Sequence, residues 1–165
     1  MIEGRIWKFG NNVNTDVIFA GKYTYTVIDQ HEIASHAMED ALPGFSSKVR
    51  PNDIIVAGKN FGCGSSREQA VFCLKYAGIG AIIAASFSRI YFRNAINAGL
   101  PVIVQKELVD HAVDGQMIRI DFTKGLIDYA GREYSFPALP GYILNILSEG
   151  GLNNYIKKKL ANKEE

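Results

Sequence analysis

Apolar and polar positions divide the chain into three stretches of different rhythm. In the middle, Ile54–Ala57 and Ala81–Ala85 are unbroken apolar runs of strand length, and Leu100–Val104 is a third. Such runs mark strands buried on both faces. The segments between them, Arg67–Tyr76 and Ser88–Ala98, predict helices, with Gly78 and Gly99 just past their ends, where left-handed C-caps sit. The N-terminal stretch predicts a strand at Arg5–Phe9, a polar turn at Gly10–Thr15 and an irregular segment rich in Tyr and Thr at Val17–Thr26. Asp29 then caps a predicted helix that runs to about Ala41 and ends at Pro43-Gly44. The C-terminal stretch alternates weakly over Met117–Phe122, Leu126–Ala130 and Glu133–Phe136, which predicts short antiparallel strands separated by Gly125 and Gly131. Pro140 opens a helix to about Leu147, Gly150-Gly151 breaks it, and Leu152–Leu160 forms a last helix with a Lys157-Lys158-Lys159 tail. Strands alternating with helices predict an α/β fold with a mixed sheet flanked by helices. No linker or repeat interrupts the pattern, so residues 1–165 read as one domain.

Composition narrows the chemistry. With 165 residues and 47% apolar content the chain has enough core to fold without disulfide or metal staples. A formal net charge of +1 gives no global field that would favour nucleic acid or an acidic membrane. No apolar stretch approaches spanning length and no signal peptide is recognisable, so a cytoplasmic protein with reduced thiols is expected. Two Cys cannot by themselves complete a structural zinc site or hold an iron–sulfur cluster by thiolates alone. Cys63 and Cys73 read as packing residues. His31 and His36 are five apart and do not share a helix face as metal ligands would, and His111 is isolated. Trp7 reads as a core or interface residue.

The segment Gly58-Lys59-Asn60-Phe61-Gly62-Cys63-Gly64-Ser65-Ser66-Arg67-Glu68 joins a buried strand to a helix. In open α/β sheets, ligands bind beyond the carboxyl ends of the strands. Glycines at 62 and 64 let backbone approach a ligand closely. Two hydroxyls and a guanidinium at the first helical turn make a compact anion site, in which Arg67 can grip a carboxylate with both arms. A structural reading competes: Ser65-x-x-Glu68 is a capping box. The segment is not a phosphate-binding P-loop, since the Lys is missing, nor a nucleophile elbow, since the Gly-x-Ser-x-Gly order is absent.

Three elements occur together and in order: Asn14-Thr15-Asp16, the Gly58–Ala70 segment, and Phe87-Ser88-Arg89-Ile90-Tyr91-Phe92-Arg93-Asn94-Ala95-Ile96-Asn97-Ala98-Gly99-Leu100-Pro101. Together they resemble the small subunits of 3-isopropylmalate dehydratases, a family of the aconitase superfamily. The resemblance runs from Gly4-Arg5-Ile6-Trp7 to Gly151-Leu152. It implies a swivelling β/β/α domain like the C-terminal domain of aconitase. It also implies a hydro-lyase that moves a hydroxyl by one carbon through dehydration and rehydration. A separate large subunit would carry a [4Fe–4S] cluster, with no metal on this chain. By the same resemblance Ser65 is the base that removes the proton alpha to a carboxylate. Gly64, Ser66 and Arg67 bind substrate carboxylate, Asp16 orients active-site groups, and Arg89 supplies a supporting charge. An Asx-turn or cap is an equally good reading of Asp16 from the residues alone.

In related enzymes the segment after Thr-Asp selects the substrate side group. Here it is Lys22-Tyr23-Thr24-Tyr25-Thr26. A buried third carboxylate would need a cationic partner, and the segment's core has no Arg. Tyr25, with Thr26, instead offers a wall suited to an alkyl group. Isopropylmalate in leucine biosynthesis is therefore expected, with homocitrate or a methyl-substituted malate as alternatives. A non-catalytic module that binds small anions at Gly62–Arg67 is the reading from another functional class.

Overall fold

The computed structural model describes residues 1–162. Its centre is a seven-stranded sheet in which the first strand lies in the middle rather than at an edge. Four strands run parallel: β1 (Ile2–Lys8), β2 (Asp53–Ala57), β3 (Ile79–Ala84) and β4 (Val102–Val104). On the other side of β1, the strands β5 (Met117–Asp121), β6 (Leu126–Tyr129) and β7 (Arg132–Ser135) continue the sheet as an antiparallel meander. The order across the sheet is β4-β3-β2-β1-β5-β6-β7. This is the expected α/β architecture with a mixed sheet.

Alternation along the parallel strands sorts their side chains into two cores. Trp7, Ile55, Ile82 and Val102 stand in register on one face. They are covered by α1 (Thr15–Ile18), α2 (Gln30–Ser35), α3 (Phe45–Lys48), α4 (Gln69–Ala77) and α5 (Arg89–Ala98). On the opposite face Ile6, Val56, Ile83 and Ile103 share a second core with Ile118, Ile120, Ile127, Tyr129 and Tyr134 of the meander. The sheet therefore curls until its antiparallel half packs over its own parallel half. The helix α6 (Lys106–His111) completes that core with Leu108 and Val109. The helices α7 (Gly141–Ser148) and α8 (Leu152–Ala161) close the chain beside α5. Among the described residues no helix is long and apolar enough to cross a membrane.

Two local expectations are corrected, and two short helices are added. The helix expected from Asp29 to about Ala41 is α2 alone: Asp29 caps it through His31 N and Glu32 N, but it ends at Ser35. Met38 then adopts a left-handed φ of 54° and buries its side chain completely. Burial of Met38, and stacking of His36 on Tyr23 at 3.7 Å between ring centroids, outweigh continuation of the helix. The irregular segment Val17–Thr26 contains α1 and a 3₁₀ turn at Gly21–Tyr23. α3 and α6 arise in segments with no clear period. The Gln105 side chain caps α6 by accepting from Glu107 N and Leu108 N.

One buried charge anchors the sheet far from the loops described below. Asp53, 2% exposed, accepts hydrogen bonds from Arg5 N, Arg50 N and Trp7 Nε1 and pairs with the Arg5 guanidinium at 3.0 Å. Burial alone would raise its pKa. The donors around it outweigh that cost and hold it below the ordinary 3.8.

Candidate active site

The parallel strands β1, β2 and β3 end at the same edge of the sheet, and the segments that leave them are sewn together by backbone hydrogen bonds. From the β1 side, Gly10 O accepts from Gly58 N, Asn12 N donates to Lys59 O, and Val13 O accepts from Gly62 N at 2.8 Å. From the β3 side, Phe61 N donates to Ser86 O and Ser88 N donates to Phe61 O. The loop after β2 is thus a short extra strand held between its neighbours, with bridges at Asn14–Cys63 and Phe61–Phe87. This explains Gly62. It has a φ of +75°, and a Cβ there would run into the ring of Tyr91. Tyr91 is fully buried and donates to Ala70 O at 3.2 Å. Burial, with a smaller contribution from Cys73, keeps its phenol well above 10. It is a neutral strut, not a proton donor at neutral pH.

Beyond Gly62 the chain turns toward solvent. Gly64, Ser65 and Ser66 are exposed and Arg67 is half-buried. Among the described residues the backbone N–H groups from Gly64 to Glu68 have no acceptor within the chain. The expected capping box does not form. α4 starts at Gln69, its N-cap is Glu68 in helical conformation, and no side chain caps it. Neither Ser65 nor Ser66 is therefore engaged at the helix end, and the Ser65 hydroxyl lies within reach of Thr15 Oγ1 instead. With Ser88, Ile90 and Asn94 of the next segment, they line a shallow cleft over Tyr91.

The segment after β1 supplies the other wall. Asn14 caps α1 by accepting from Val17 N at 2.8 Å, which orients the two residues that follow. Thr15 is 2% exposed, and Asp16 points outward to pair with Arg67. The fit of that pair depends on Gly21. A Cβ at this position would lie 2.9 Å from a guanidinium nitrogen of Arg67 and 3.1 Å from Asp16 Oδ1. Neither Thr15 nor Gly21 stood out in the sequence as a site residue. Adjacency to Asp16 is the signal that could have found Thr15. For Gly21, no signal existed before the fold was known.

The structure brings Asp16, Gly64, Ser65, Ser66 and Arg67 together and leaves the other candidates apart. Tyr25 is 95% exposed, and Thr26, also exposed, bonds back within its own segment, its hydroxyl to Lys22 O and its N–H to Tyr23 O. The stem of this segment is anchored, since Tyr23 stacks on His36, and His36 Nδ1 lies 2.8 Å from Glu39. Its tip is free of the chain. Arg89 is exposed on the other side of α5, beside Phe87, Phe92 and Arg93, and does not reach the Ser65 cleft. Cys63 and Cys73 are both free thiols. Cys73 is fully buried in the core, and burial pushes its thiol far up. Among the described residues no three His, Cys, Asp or Glu side chains converge as metal ligands.

Comparison with known proteins agrees with this fold. The family of aconitase C-terminal domains matches residues 7–107. A 3-isopropylmalate dehydratase small subunit from Thermotoga maritima is 50% identical over 160 residues, covering 96% of each chain. The methanogen homoaconitase small subunit of Methanothermobacter thermautotrophicus is 54% identical over 160 residues, covering 95% of this chain and 92% of its own. The crystal structure of a 3-isopropylmalate dehydratase chain from Methanocaldococcus jannaschii superposes with a TM-score of 0.91 at 45% identity, covering 99% of this chain and 97% of that one.

Proposed function

The chain belongs to the aconitase C-terminal domain family, and on that premise we propose that it is the small subunit of a hydro-lyase that interconverts 2- and 3-isopropylmalate by dehydration and rehydration. Leucine biosynthesis in the cytoplasm is the setting. The observation that carries the proposal is the meeting of the Ser65–Ser66–Arg67 loop with the Asp16 carboxylate at the carboxyl edge of the parallel strands. Close relatives named as dehydratase small subunits support the reaction class.

In the proposed mechanism Ser66, Arg67 and the free N–H groups from Gly64 to Glu68 bind one substrate carboxylate. Unpaired backbone donors cost nothing to reorganise when an anion arrives. Asp16 holds the Arg67 guanidinium in plane, so that its remaining N–H groups face the cleft. Ser65, as an alkoxide, removes the proton alpha to the carboxylate and later returns it. A weak carbon acid demands a strong base, and an alkoxide is tenable only where fixed donors and a nearby cation stabilise it. In this reading a [4Fe–4S] cluster would be carried by the large subunit, as the resemblance to dehydratase small subunits implies. When bound there, it supplies Lewis-acid activation of the departing hydroxyl.

Homoaconitase is the second reading, because a homoaconitase small subunit is 54% identical to this chain. The loop 22–26 argues against it: its core holds no Arg, and Lys22 is directed to Glu39 at 3.7 Å. The test is reconstitution. The isolated chain is expected to show no dehydratase activity, and addition of the large subunit should produce it. Full activity in the chain alone would overturn the subunit reading. Tight binding of malate-like ligands by the chain alone, with no activity in the complex, would favour an anion-binding module.

A further inference from the structure

We infer that Thr15 is a positioning residue for Ser65, holding its backbone and supplying a hydrogen bond to its oxygen when that oxygen is charged. The inference rests on the reading of Ser65 as the base, and it adds a residue to which neither the motif nor the comparisons give a role.

Thr15 is one of two polar or charged residues that the described fold buries almost completely, the other being Asp53 at the far end of β2. Burial of a hydroxyl is unfavourable unless it is hydrogen-bonded. The Thr15 hydroxyl finds its partner in the Ser65 carbonyl, to which it donates at 2.9 Å. The same oxygen lies 3.5 Å from Ser65 Oγ. Thr15 N donates to Cys63 O at 2.8 Å, so one residue grips the loop on both sides of Gly64. A Cβ at Gly64 would lie 3.3 Å from Thr15 Oγ1, so glycine is what lets the two segments close to this distance. Thr15 itself is fixed as the first residue of a helix that Asn14 caps.

A hydroxyl carries one proton and rotates freely about its C–O bond. While Ser65 is neutral, the Thr15 proton serves the carbonyl. When Ser65 loses its proton, the alkoxide becomes the stronger acceptor within reach, and a small rotation redirects the Thr15 proton to it. The Thr15 proton is never transferred. It lowers the cost of ionising Ser65, and the substrate proton still goes to Ser65 Oγ. The contact joins residues 50 apart in sequence and is partly buried, because Thr15 is enclosed while Ser65 faces the cleft, and a donor there counts for more than one in open water.

The test uses the complex with the large subunit and four variants: Thr15→Val, Thr15→Ser, Ser65→Ala, and Thr15→Val with Ser65→Ala. Thr15→Val is expected to lower kcat by about 10- to 100-fold with KM changed less than about threefold. The limb of the kcat–pH profile that rises with ionisation of the base should move to higher pH, because loss of a donor to the alkoxide raises the pKa of the hydroxyl. Thr15→Ser should restore most of kcat, and the double variant should be no slower than Ser65→Ala. Normal kcat in Thr15→Val would overturn the inference. So would equal losses in Thr15→Val and Thr15→Ser with an unmoved pH profile, which is the signature of packing alone. If Thr15→Val slowed Ser65→Ala by its full factor again, it would not act through Ser65. A normal kcat in Ser65→Ala by itself would instead remove the reading of Ser65 as the base, and the inference with it.

Discussion

Two neighbouring segments of this protein are built in opposite ways. The loop after β2 is sewn to both adjacent strand ends and gripped from below by Thr15, so its reactive groups are fixed before any ligand arrives. The segment from Lys22 to Thr26 is held through Tyr23 on His36, Lys22 on Glu39 and Gln69 Nε2 donating to Thr24 O, yet presents Tyr25 almost wholly to solvent. Fixed donors suit the part of a reaction common to every 2-hydroxy acid substrate. A free aromatic tip suits the part that differs between substrates, and it needs a second surface to form a pocket. In the proposed assembly that surface belongs to the large subunit. On the proposed reading the chain carries preformed chemistry and unfinished selectivity.

The comparison can be broken most sharply at Ser65. Ser65→Ala in the complex is expected to lower kcat by about 10²–10⁴-fold with little change in KM, measured by steady-state kinetics. A second, smaller effect concerns stability remote from both segments. Asp53→Asn leaves the half-buried Arg5 guanidinium against a neutral partner and should destabilise the chain by about 1–3 kcal/mol in denaturant unfolding. The wild-type carboxyl has its folded pKa below the ordinary 3.8. Its contribution is therefore complete above about pH 4 and disappears as pH falls through the lower folded value. Asp53→Asn should flatten the acid limb of stability while leaving substrate preference unchanged.

Gly62→Ala attacks the fixed loop directly. The left-handed φ and the Tyr91 ring together predict a loss of about 2–3 kcal/mol, read as a melting temperature lower by roughly 4–10 °C. Tyr25→Ala should be nearly silent in the isolated chain, within about 0.5 kcal/mol, since the side chain touches little. In the complex it should lower the preference for isopropylmalate over other substrates by about tenfold in kcat/KM. A destabilised isolated chain would show that Tyr25 packs locally and does not await a partner.

The sequence made the fixed loop legible and the unfinished segment much less so. Ile54–Ala57 and Ala81–Ala84 announced buried strands, and a glycine-rich link between strand and helix placed Ser65–Arg67 at the carboxyl edge. These are local signals. The pairing of Asp16 with Arg67 and the grip of Thr15 on Ser65 join residues about 50 apart, and only the parallel pairing of β1 with β2 brings them together. The capping-box reading of Ser65 and Glu68 failed because the loop's bonds to Val13 and Thr15 delay the helix until Gln69. The helix predicted through Ala41 failed at His36 because tertiary stacking and the burial of Met38 outweigh propensity. Asp53 gave no sign of its burial, since its donors come from three separate points of the chain.

The most direct test of fixed chemistry joined to borrowed selectivity is the ratio of kcat/KM for 3-isopropylmalate and homocitrate, measured in the complex of this chain with its large subunit. A preference of at least tenfold for 3-isopropylmalate is predicted. Equal use of both, or a preference for homocitrate, would contradict it.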